Sequence, residues 1–488
     1  MTSGLMARRS FLGCVGAGAL ALTGCTTRSA ERTSRAGEKW RPNIVFVLAD
    51  DLGYADLGCF GSTFYETPNL DRLAASATRF TQAYAACPVC SPTRASIMTG
   101  KYPARLKLTD FLKGNRSPKN SPLLPAPYAD ELALEEVTVA EILRQAGYAT
   151  GHVGKWHLGG KGFWPEDQGF DFNAGGCASG MPKSYFWPDW GNNPPIKGRF
   201  EGQYLADRLT EEAYRFIEMN KDRPFYLNFC HHSVHIPIEA KADKTAKYEA
   251  KLKAHPPKPG RQNNARYAAM VESVDDSIGR LVETLRSCGI EDRTAVFFFS
   301  DNGGLSVEEG KFTPATTNAP LRDGKGYLHE GGIREPLIVS WPGVLKPGGV
   351  CTTPVCSIDF LPTFCTMADV TPESAGAHDI DGLDISPLLR NVRTSVPRDA
   401  LYWHYPHFSN QGGRPGGAVR AGDWKLIENY EFGDLELYNL ANDIGESRNL
   451  AKSEPARAEK MRAMLKAWRN RVGATMPPPN PEYKKSKT

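Results

Sequence analysis

This chain has little cysteine, little net charge and no long apolar run for its 488 residues. Its 11 cysteines are too few for a disulfide scaffold, although one or two bridges stay open in an oxidising compartment, with Cys351 and Cys356 as the candidate pair. A net charge of +4 gives no basis for a nucleic-acid partner, and we expect none. No segment approaches the about 20 apolar residues of a membrane-spanning helix. The composition is typical of a soluble globular protein, and the length favours two domains.

The N-terminus has the pattern of an export signal. The basic run Arg8-Arg9-Ser10-Phe11-Leu12 resembles a twin-arginine signal, and Leu22-Thr23-Gly24-Cys25 resembles a bacterial lipobox. We therefore expect residues 1–25 to be a signal peptide, Cys25 to be the lipidated first mature residue, and residues 26–41 to be a tether. The protein would be exported to the periplasm or cell surface and held at the membrane by a lipid anchor only. A Sec-type signal with an incidental Cys25 is the alternative.

Short apolar runs alternate with helical patterns through the first three quarters of the chain. Apolar runs at 43–49, 148–153, 225–230 and 294–299 each end in polar residues, and helical patterns cover 138–146, 204–220 and 267–287. This alternation predicts an α/β fold, with a large mostly parallel sheet flanked by helices. Such sheets place their sites at the carboxyl ends of the strands, so the polar residues there should converge.

The pattern changes after about residue 379. Short strand-like segments at 402–404, 417–420, 424–428 and 435–439 precede an amphipathic helix at 455–472. We expect a catalytic domain at 42–385, a smaller C-terminal α+β subdomain with a short antiparallel sheet at 390–476, and a tail at 477–488. The segment from Met476 onward, rich in proline and lysine, is expected to fray.

The run Cys90-Ser91-Pro92-Thr93-Arg94 is the most informative motif. Pro92 suits the first turn of a helix, which would place Cys90 near the helix N-terminus. Free N–H groups and the positive end of the helix dipole favour an anion there, and Arg94 adds a fixed cation. On these residues alone, an ordinary buried cysteine before a helix is equally open.

Polar motifs at the other strand ends supply metal ligands, cations and bases. Asp50-Asp51 and Asp301-Asn302 offer hard oxygen ligands for Ca²⁺ or Mg²⁺, although a helix cap or turn is the alternative for each pair. Gly154-Lys155-Trp156-His157-Leu158-Gly159 brings a lysine and a histidine onto one loop. His235-Ile236-Pro237 follows another strand, and His235 has a side chain suited to acid–base work.

Together these motifs resemble the sulfatase family, whose signature is Cys/Ser-x-Pro-x-Arg followed by Gly-Lys-Trp-His-Leu-Gly further along the chain. The resemblance is close over residues 41–370 and looser over 402–444. It implies that a formylglycine-generating maturation enzyme oxidises Cys90 to formylglycine, whose hydrate is the nucleophile. One Ca²⁺ per chain is implied, and its expected ligands are Asp50, Asp51, Asp301, Asn302 and the modified Cys90.

The same resemblance implies a role for each remaining polar residue. Lys155, Lys325 and Arg94 would contact the sulfate. His157 would take a proton from the second hydroxyl of the nucleophile, and His235 with Lys325 would serve the leaving alcohol. The expected activity is sulfate-ester hydrolysis. A phosphonate monoester hydrolase or phosphodiesterase of the same superfamily, and an inactive glycan-binding lipoprotein, remain as alternatives.

A substrate class follows from segments that resemble bacterial polysaccharide sulfatases: residues 402–407, 109–112 and 185–186. These imply sulfated polysaccharides or their oligosaccharides, with galactose or N-acetylgalactosamine 4-sulfate as the expected sugar. His404, His407 and Arg414 are the candidate sugar contacts, with core packing as the alternative for the two histidines.

Overall fold

Nine strands form one large mixed sheet, in the order β4-β3-β5-β1-β6-β7-β2-β8 with β9 also beside β2. The structure is a computed structural model and describes residues 41–114, 118 and 120–484. The predicted signal peptide, Cys25 and the tether up to residue 40 lie outside the described residues. The strands are β1 Asn43–Ala49, β2 Thr78–Tyr84, β3 Ala149–Gly154, β4 Phe172–Ala174, β5 Phe225–Cys230, β6 Thr294–Ser300, β7 Arg334–Ser340, β8 Gly349–Cys351 and β9 Val355–Cys356.

The predicted α/β class is confirmed, and the sheet is parallel from β4 through β6. Strand β7 is antiparallel to both β6 and β2, while β8 and β9 run parallel to β2. The helices are α1 Pro68–Ala75, α2 Cys90–Thr99, α3 Pro103–Leu106, α4 Val139–Gln145, α5 Leu205–Asn220, α6 Ala242–Ala254, α7 Ala265–Ser287, α8 Glu330–Ile333, α9 Phe360–Met367, α10 Ser386–Arg390 and α11 Pro455–Arg471.

The central strand β1 shows why its sequence is apolar throughout. Its odd-numbered residues Val45, Val47 and Ala49 belong to one hydrophobic core, packed against α5 and α7. Its even-numbered residues, among them Phe46 and Leu48, belong to a second core on the opposite face, with α4 and α9. Because successive side chains of a strand point to opposite faces, a strand covered on both sides needs apolar residues at every position.

A second sheet of four antiparallel strands lies in the C-terminal part, in the order β10 Leu401–Tyr405, β11 Gly416–Ala421, β12 Trp424–Asn429 and β13 Leu435–Asn439. The helix α11 packs on it, in a third hydrophobic core that also includes residues next to α2. A fully buried ion-pair group links this sheet to helix α8, because Lys425 Nζ lies 2.9 Å from Glu330 and 2.9 Å from Glu446. Removing one partner from such a group would leave an uncompensated buried charge.

The structure supports neither the candidate disulfide nor the frayed tail. Cys351 and Cys356 are free thiols and form no bridge. The tail does not fray over its described residues up to Lys484, because Leu124 N–H donates to Pro478 O at 2.8 Å and Asn480 N–H to Pro122 O at 2.9 Å. Within the described ranges, no helix combines the length and the hydropathy of a bilayer-crossing segment.

Candidate active site

The carboxyl edge of the large sheet collects the predicted polar residues. Strands β1, β3, β5 and β6 run parallel, so the loops that follow them leave the sheet at the same edge. Helix α2 and the loop before α8 complete the group. The residues brought together and buried here are Asp50, Asp51, Cys90, Arg94, Lys155, His157, His235, Asp301, Asn302 and Lys325.

Helix α2 fixes the position of the cysteine and the arginine. Cys90 is its first residue, preceded by Val89 in an extended conformation, and every residue of the helix is buried. Arg94 lies four residues later and therefore shares a helix face with Cys90. The Arg94 guanidinium donates to Asp301 Oδ2 at 2.8 Å and to the carbonyl of Lys155 at 2.8 Å, which connects α2 to the ends of β6 and β3.

Two buried lysines neutralise the aspartate pair. Lys155 Nζ lies 2.7 Å from Asp50 Oδ2, and Lys325 Nζ lies 2.8 Å from Asp51 Oδ2. Burial acts to raise both aspartate pKa values. For Asp51 burial is the largest single cause, but Lys325, His235 and Lys155 together outweigh it and hold the pKa well below its usual range. For Asp50, burial together with the charges of Asp301 and Asp51 prevails over Lys155, so its pKa is raised.

Unpartnered oxygen atoms show that this group suits a metal cation. Asp50 Oδ1 and Asn302 Oδ1 are buried and have no hydrogen-bond partner among the described residues, and a buried oxygen without a partner is costly. Asn302 Nδ2 donates to Asp51 Oδ1 at 2.8 Å, so the amide oxygen is the free end. Ligand atoms of Asp50, Asp51 and His235 also lie within 4.8 Å of one another. Carboxylate and amide oxygens of this kind match a hard divalent cation.

Asp301, a predicted ligand, is engaged differently from the aspartate pair. Its Oδ2 accepts from Arg94 at 2.8 Å, and its Oδ1 accepts from the backbone N–H of Asp51 at 3.3 Å. In this structure the Asp301 carboxylate therefore orients Arg94 and the loop after β1.

His235 is held as a neutral ring with one defined proton. Its Nδ1 lies 2.9 Å from the carbonyl oxygen of Ile236, and a carbonyl can only accept, so Nδ1 carries the hydrogen. Nε2 is then the acceptor for Lys325 Nζ at 2.9 Å. Burial, followed by the charge of Lys325, lowers the His235 pKa to about 3. Lys325 and His235 therefore form one hydrogen-bonded pair at this position.

His157 lies directly beside the cysteine. Its Nδ1 is 3.3 Å from Cys90 Sγ, and its backbone adopts a left-handed conformation with φ of 57°. Burial, followed by the charge of Lys155, lowers the His157 pKa well below its usual value. Burial also raises the Cys90 pKa, against the pull of Lys155 and Lys325. A neutral imidazole next to position 90 can accept a proton from a group formed there.

The predicted sugar contacts are not part of this cluster. His404 is buried with both ring nitrogens occupied, by Tyr430 Oη at 2.8 Å and the carbonyl of Thr475 at 3.0 Å. His407 is buried against Thr109 Oγ1 at 2.9 Å. The burial of both rings favours the core-packing alternative, and their contact with a sugar stays a prediction. Arg414 is more exposed and pairs with Glu431 and Asp434.

Two further residues at this site are not among the predicted site residues. Gly180 packs on the ring of His157 so closely that an added Cβ would lie 2.3 Å from its Cε1 atom. His232 is buried, and neither of its ring nitrogens has a hydrogen-bond partner among the described residues. Burial, followed by the charges of Lys155 and Arg94, lowers the His232 pKa well below its usual value. The position of His232, two residues after the end of β5, is a sequence signal for a site residue. No sequence signal indicates the contact between Gly180 and His157.

The carboxyl edge of this mostly parallel sheet carries carboxylates, cations and a cysteine that begins a helix, an arrangement that suits the binding of an anionic group. Comparison with known proteins agrees. The sequence profile described as Sulfatase matches residues 42–370, and the profile described as N-sulphoglucosamine sulphohydrolase, C-terminal, matches residues 323–471. The chain therefore belongs to the sulfatase family, and it is a sulfuric ester hydrolase.

Individual relatives cover most of the chain. A sulfatase of Formosa agariphila is 32% identical over 88% of this chain and 88% of its own length. The N-acetylgalactosamine-6-sulfatase of Sus scrofa is 35% identical over 75% of this chain and 69% of its own. The crystal structure of Ps i-CgsB in complex with k-i-k-neocarrahexaose has a TM-score of 0.73 at 30% identity, covering 88% of this chain and 93% of that chain.

The contact of Gly180 with His157 generates a prediction. Gly180→Ala should displace the His157 ring, because the new Cβ would overlap it, and kcat/KM for sulfate release should fall about 100-fold without loss of fold. Gly160→Ala is the matched control, since nothing lies within 4 Å of a Cβ added there. Steady-state kinetics and thermal unfolding measure both effects. Equal activity of the two variants would contradict the positioning role.

Proposed function

We propose that this enzyme releases sulfate from sulfated polysaccharides or their oligosaccharides, with a formylglycine made from Cys90 and one bound Ca²⁺. The observation that carries the proposal is the convergence of three cations on the aspartates around Cys90: Arg94, Lys155 and Lys325. The membership of the sulfatase family supports the reaction class. The relatives at 32–35% identity are named as sulfatases, which argues against a phosphonate hydrolase.

The roles of the residues follow from their contacts. Formylglycine at position 90, once formed, supplies a hydrated aldehyde as the nucleophile. His157, whose Nδ1 lies next to the side chain of residue 90, accepts a proton from a hydroxyl there. Arg94, Lys155 and Lys325 lie in a buried setting, where preorganised cations stabilise negative charge on sulfuryl oxygens more strongly than in water.

A Ca²⁺ ion would be held by Asp50, Asp51, Asp301 and Asn302 together with the modified residue 90. When bound, it polarises a sulfate oxygen as a Lewis acid. The unpartnered oxygens of Asp50 and Asn302 support this assignment, because a cation would satisfy both. The lysine contacts of Asp50 and Asp51 show that these carboxylates attract positive charge.

The leaving alcohol is served by the pair Lys325 and His235. Lys325 Nζ donates to His235 Nε2, and both groups contact Asp51, so the pair is fixed as a unit. A proton from this pair can be passed to the departing oxygen as the ester bond breaks. A sugar alkoxide is a poor leaving group and needs this proton.

A galactose-type sulfated sugar is the proposed substrate. One relative is named for N-acetylgalactosamine 6-sulfate, and one solved neighbour holds k-i-k-neocarrahexaose. The sequence segments that resemble polysaccharide sulfatases indicate 4-sulfate instead. Release from N-acetylgalactosamine 4-sulfate and 6-sulfate, assayed side by side, decides the position.

We also propose that the protein is exported and lipid-anchored at Cys25, on the pattern of residues 8–25. The wild-type protein expressed in a bacterial host should partition with membranes, and Cys25→Ala should remain in the aqueous fraction or unprocessed. Cys14→Ala, a second cysteine change in the same segment, should partition as the wild type does. A wild-type protein that is wholly aqueous after export would exclude the anchor.

Maturation at Cys90 is the direct test of the proposed function. The tryptic peptide of residues 80–94 should be lighter than its cysteine form when the host contains the maturation enzyme, because oxygen replaces sulfur and hydrogen is lost. Cys90→Ala should abolish sulfate release and keep the fold. Cys87→Ala, which changes a buried cysteine in the same peptide, should keep both the mass shift and the activity. Retained turnover in Cys90→Ala would overturn the mechanism.

Metal binding has its own test. Asn302→Ala should weaken Ca²⁺ binding at least tenfold in calorimetry, because it removes one of the two unpartnered oxygens. Asn442→Ala, at an exposed asparagine, is the control and should bind as the wild type does. If Asn302→Ala bound Ca²⁺ with the affinity of the wild type, the metal site would lie elsewhere.

The His235–Lys325 pair predicts a dependence on the leaving group. His235→Ala should slow hydrolysis of a sugar sulfate about 100-fold or more, yet slow hydrolysis of 4-nitrophenyl sulfate less than tenfold, because nitrophenolate leaves without a proton. His378→Ala, at an exposed histidine, should change neither rate. Equal losses on both substrates would show that His235 does not serve the leaving group.

A further inference from the structure

A cavity of about 500 Å³ lies outside the catalytic cluster, between the chain that follows β1 and the segment that joins α6 to α7. This volume is in the range that accommodates a saccharide-sized ligand. Its lining includes Ala55, Phe64, Gln262 and Thr317, and the cationic side chains Lys251, Lys258 and Arg261. No carboxylate is among the lining residues that the structure describes.

The positive charge of this basic pocket is mostly uncompensated. Lys251 pairs with Glu66 at 2.7 Å. Lys258 and Arg261 are exposed, and among the described residues neither has an ion-pair partner. The segment between them holds Pro259 and Gly260, and Arg261 N–H donates to Lys258 O at 3.2 Å, so a turn presents both cations on the same short loop. Two unpaired cations on the wall of a cavity favour an anionic occupant.

Two sides of the pocket are formed by loops that also carry residues of the catalytic cluster. Gln262 Nε2 donates to Asp56 at 2.7 Å and to the carbonyl of Ala55 at 3.0 Å. Tyr267 Oη then joins Asp56, at 2.6 Å, to the carbonyl of the predicted ligand Asp51, at 3.2 Å. The pocket therefore lies beside the loop that carries the aspartate pair.

The second of these sides is formed by the loop that carries Lys325. Thr317 and Ala319 line the pocket, and the residue between them, Asn318, donates to Asp323 O at 2.9 Å and to Gly304 O at 2.9 Å. The pocket thus borders both loops and includes no residue of the catalytic cluster in its lining.

We propose that the basic pocket binds a second sulfate group of a polysulfated glycan whose other sulfate lies in the catalytic cluster. This inference rests on the proposed function and deepens it, because it makes the preferred substrate an oligosaccharide with several sulfates rather than a monosulfated sugar. The pocket contributes affinity and no chemistry. Its effect is electrostatic and should weaken as ionic strength rises.

Calorimetry on the full chain carrying Cys90→Ala tests the proposal without turnover. The probes are a chondroitin 4-sulfate hexasaccharide, the unsulfated chondroitin hexasaccharide and sodium sulfate. Adding Lys258→Ala and Arg261→Ala should weaken binding of the sulfated hexasaccharide about tenfold and leave the unsulfated one unchanged. Lys253→Ala with Lys346→Ala removes the same charge from exposed sites outside the pocket and should have no effect.

Kinetics separates this proposal from the proposed function. In the enzyme with Cys90 intact, the pocket variant should raise KM for the sulfated hexasaccharide about tenfold, with kcat and the turnover of 4-nitrophenyl sulfate unchanged. If the variant with Lys258→Ala and Arg261→Ala kept its affinity for the hexasaccharide and the enzyme still released sulfate, the inference would be overturned and the proposed function would not. Equal losses for sodium sulfate and the hexasaccharide would also overturn it, by showing a site for the free ion. Absence of sulfate release from every sulfated saccharide, with pocket-dependent binding retained, would overturn the proposed function alone.

Discussion

The neutralisation of buried carboxylates at the end of two neighbouring strands is the constraint on which the rest of the site depends. Asp50, Asp51 and Asp301 converge with almost no exposure to solvent. Removing the partner of one buried charge costs about 3–5 kcal/mol, so each carboxylate requires a cation at close range. Lys155, Lys325 and Arg94 meet this requirement, and the positions of the cations that would receive a sulfate follow from it.

The topology of the sheet makes this convergence possible. Strands β1 and β6 are hydrogen-bonded neighbours, with Ala49 opposite Ser300, so the acidic residues that follow them are forced together. Strand β5 on the other side of β1 leads to His235, and β3 leads to Lys155 and His157. Parallel strands bring these loops to one edge, whereas antiparallel pairing would have divided them between two.

The C-terminal sheet supports the site from one side. Its strand β12 supplies Lys425, which neutralises Glu330 at the start of α8, just after the loop with Lys325. Ser409 and Gln411 pack so closely on Gly326 that an added Cβ would lie 2.1 Å from Ser409 Oγ. The placement of Lys325 next to Asp51 thus depends on packing against residues about 85 positions later in the chain.

Local periodicity in the sequence alone determined the α/β class and the strand runs at 43–49 and 225–230 to the residue. Motifs next to strand ends, together with the resemblance to sulfatases, predicted the residues of the polar cluster. Only the tertiary structure decided the partners. These partners come from segments far apart in sequence. His235 accepts a hydrogen bond from Lys325, and His157 packs on Gly180. His404 and His407 are buried, and the tail contacts residues 120–124. The sequence does not show whether the ring nitrogens of a histidine face a substrate or a backbone carbonyl, because that depends on how distant segments pack together.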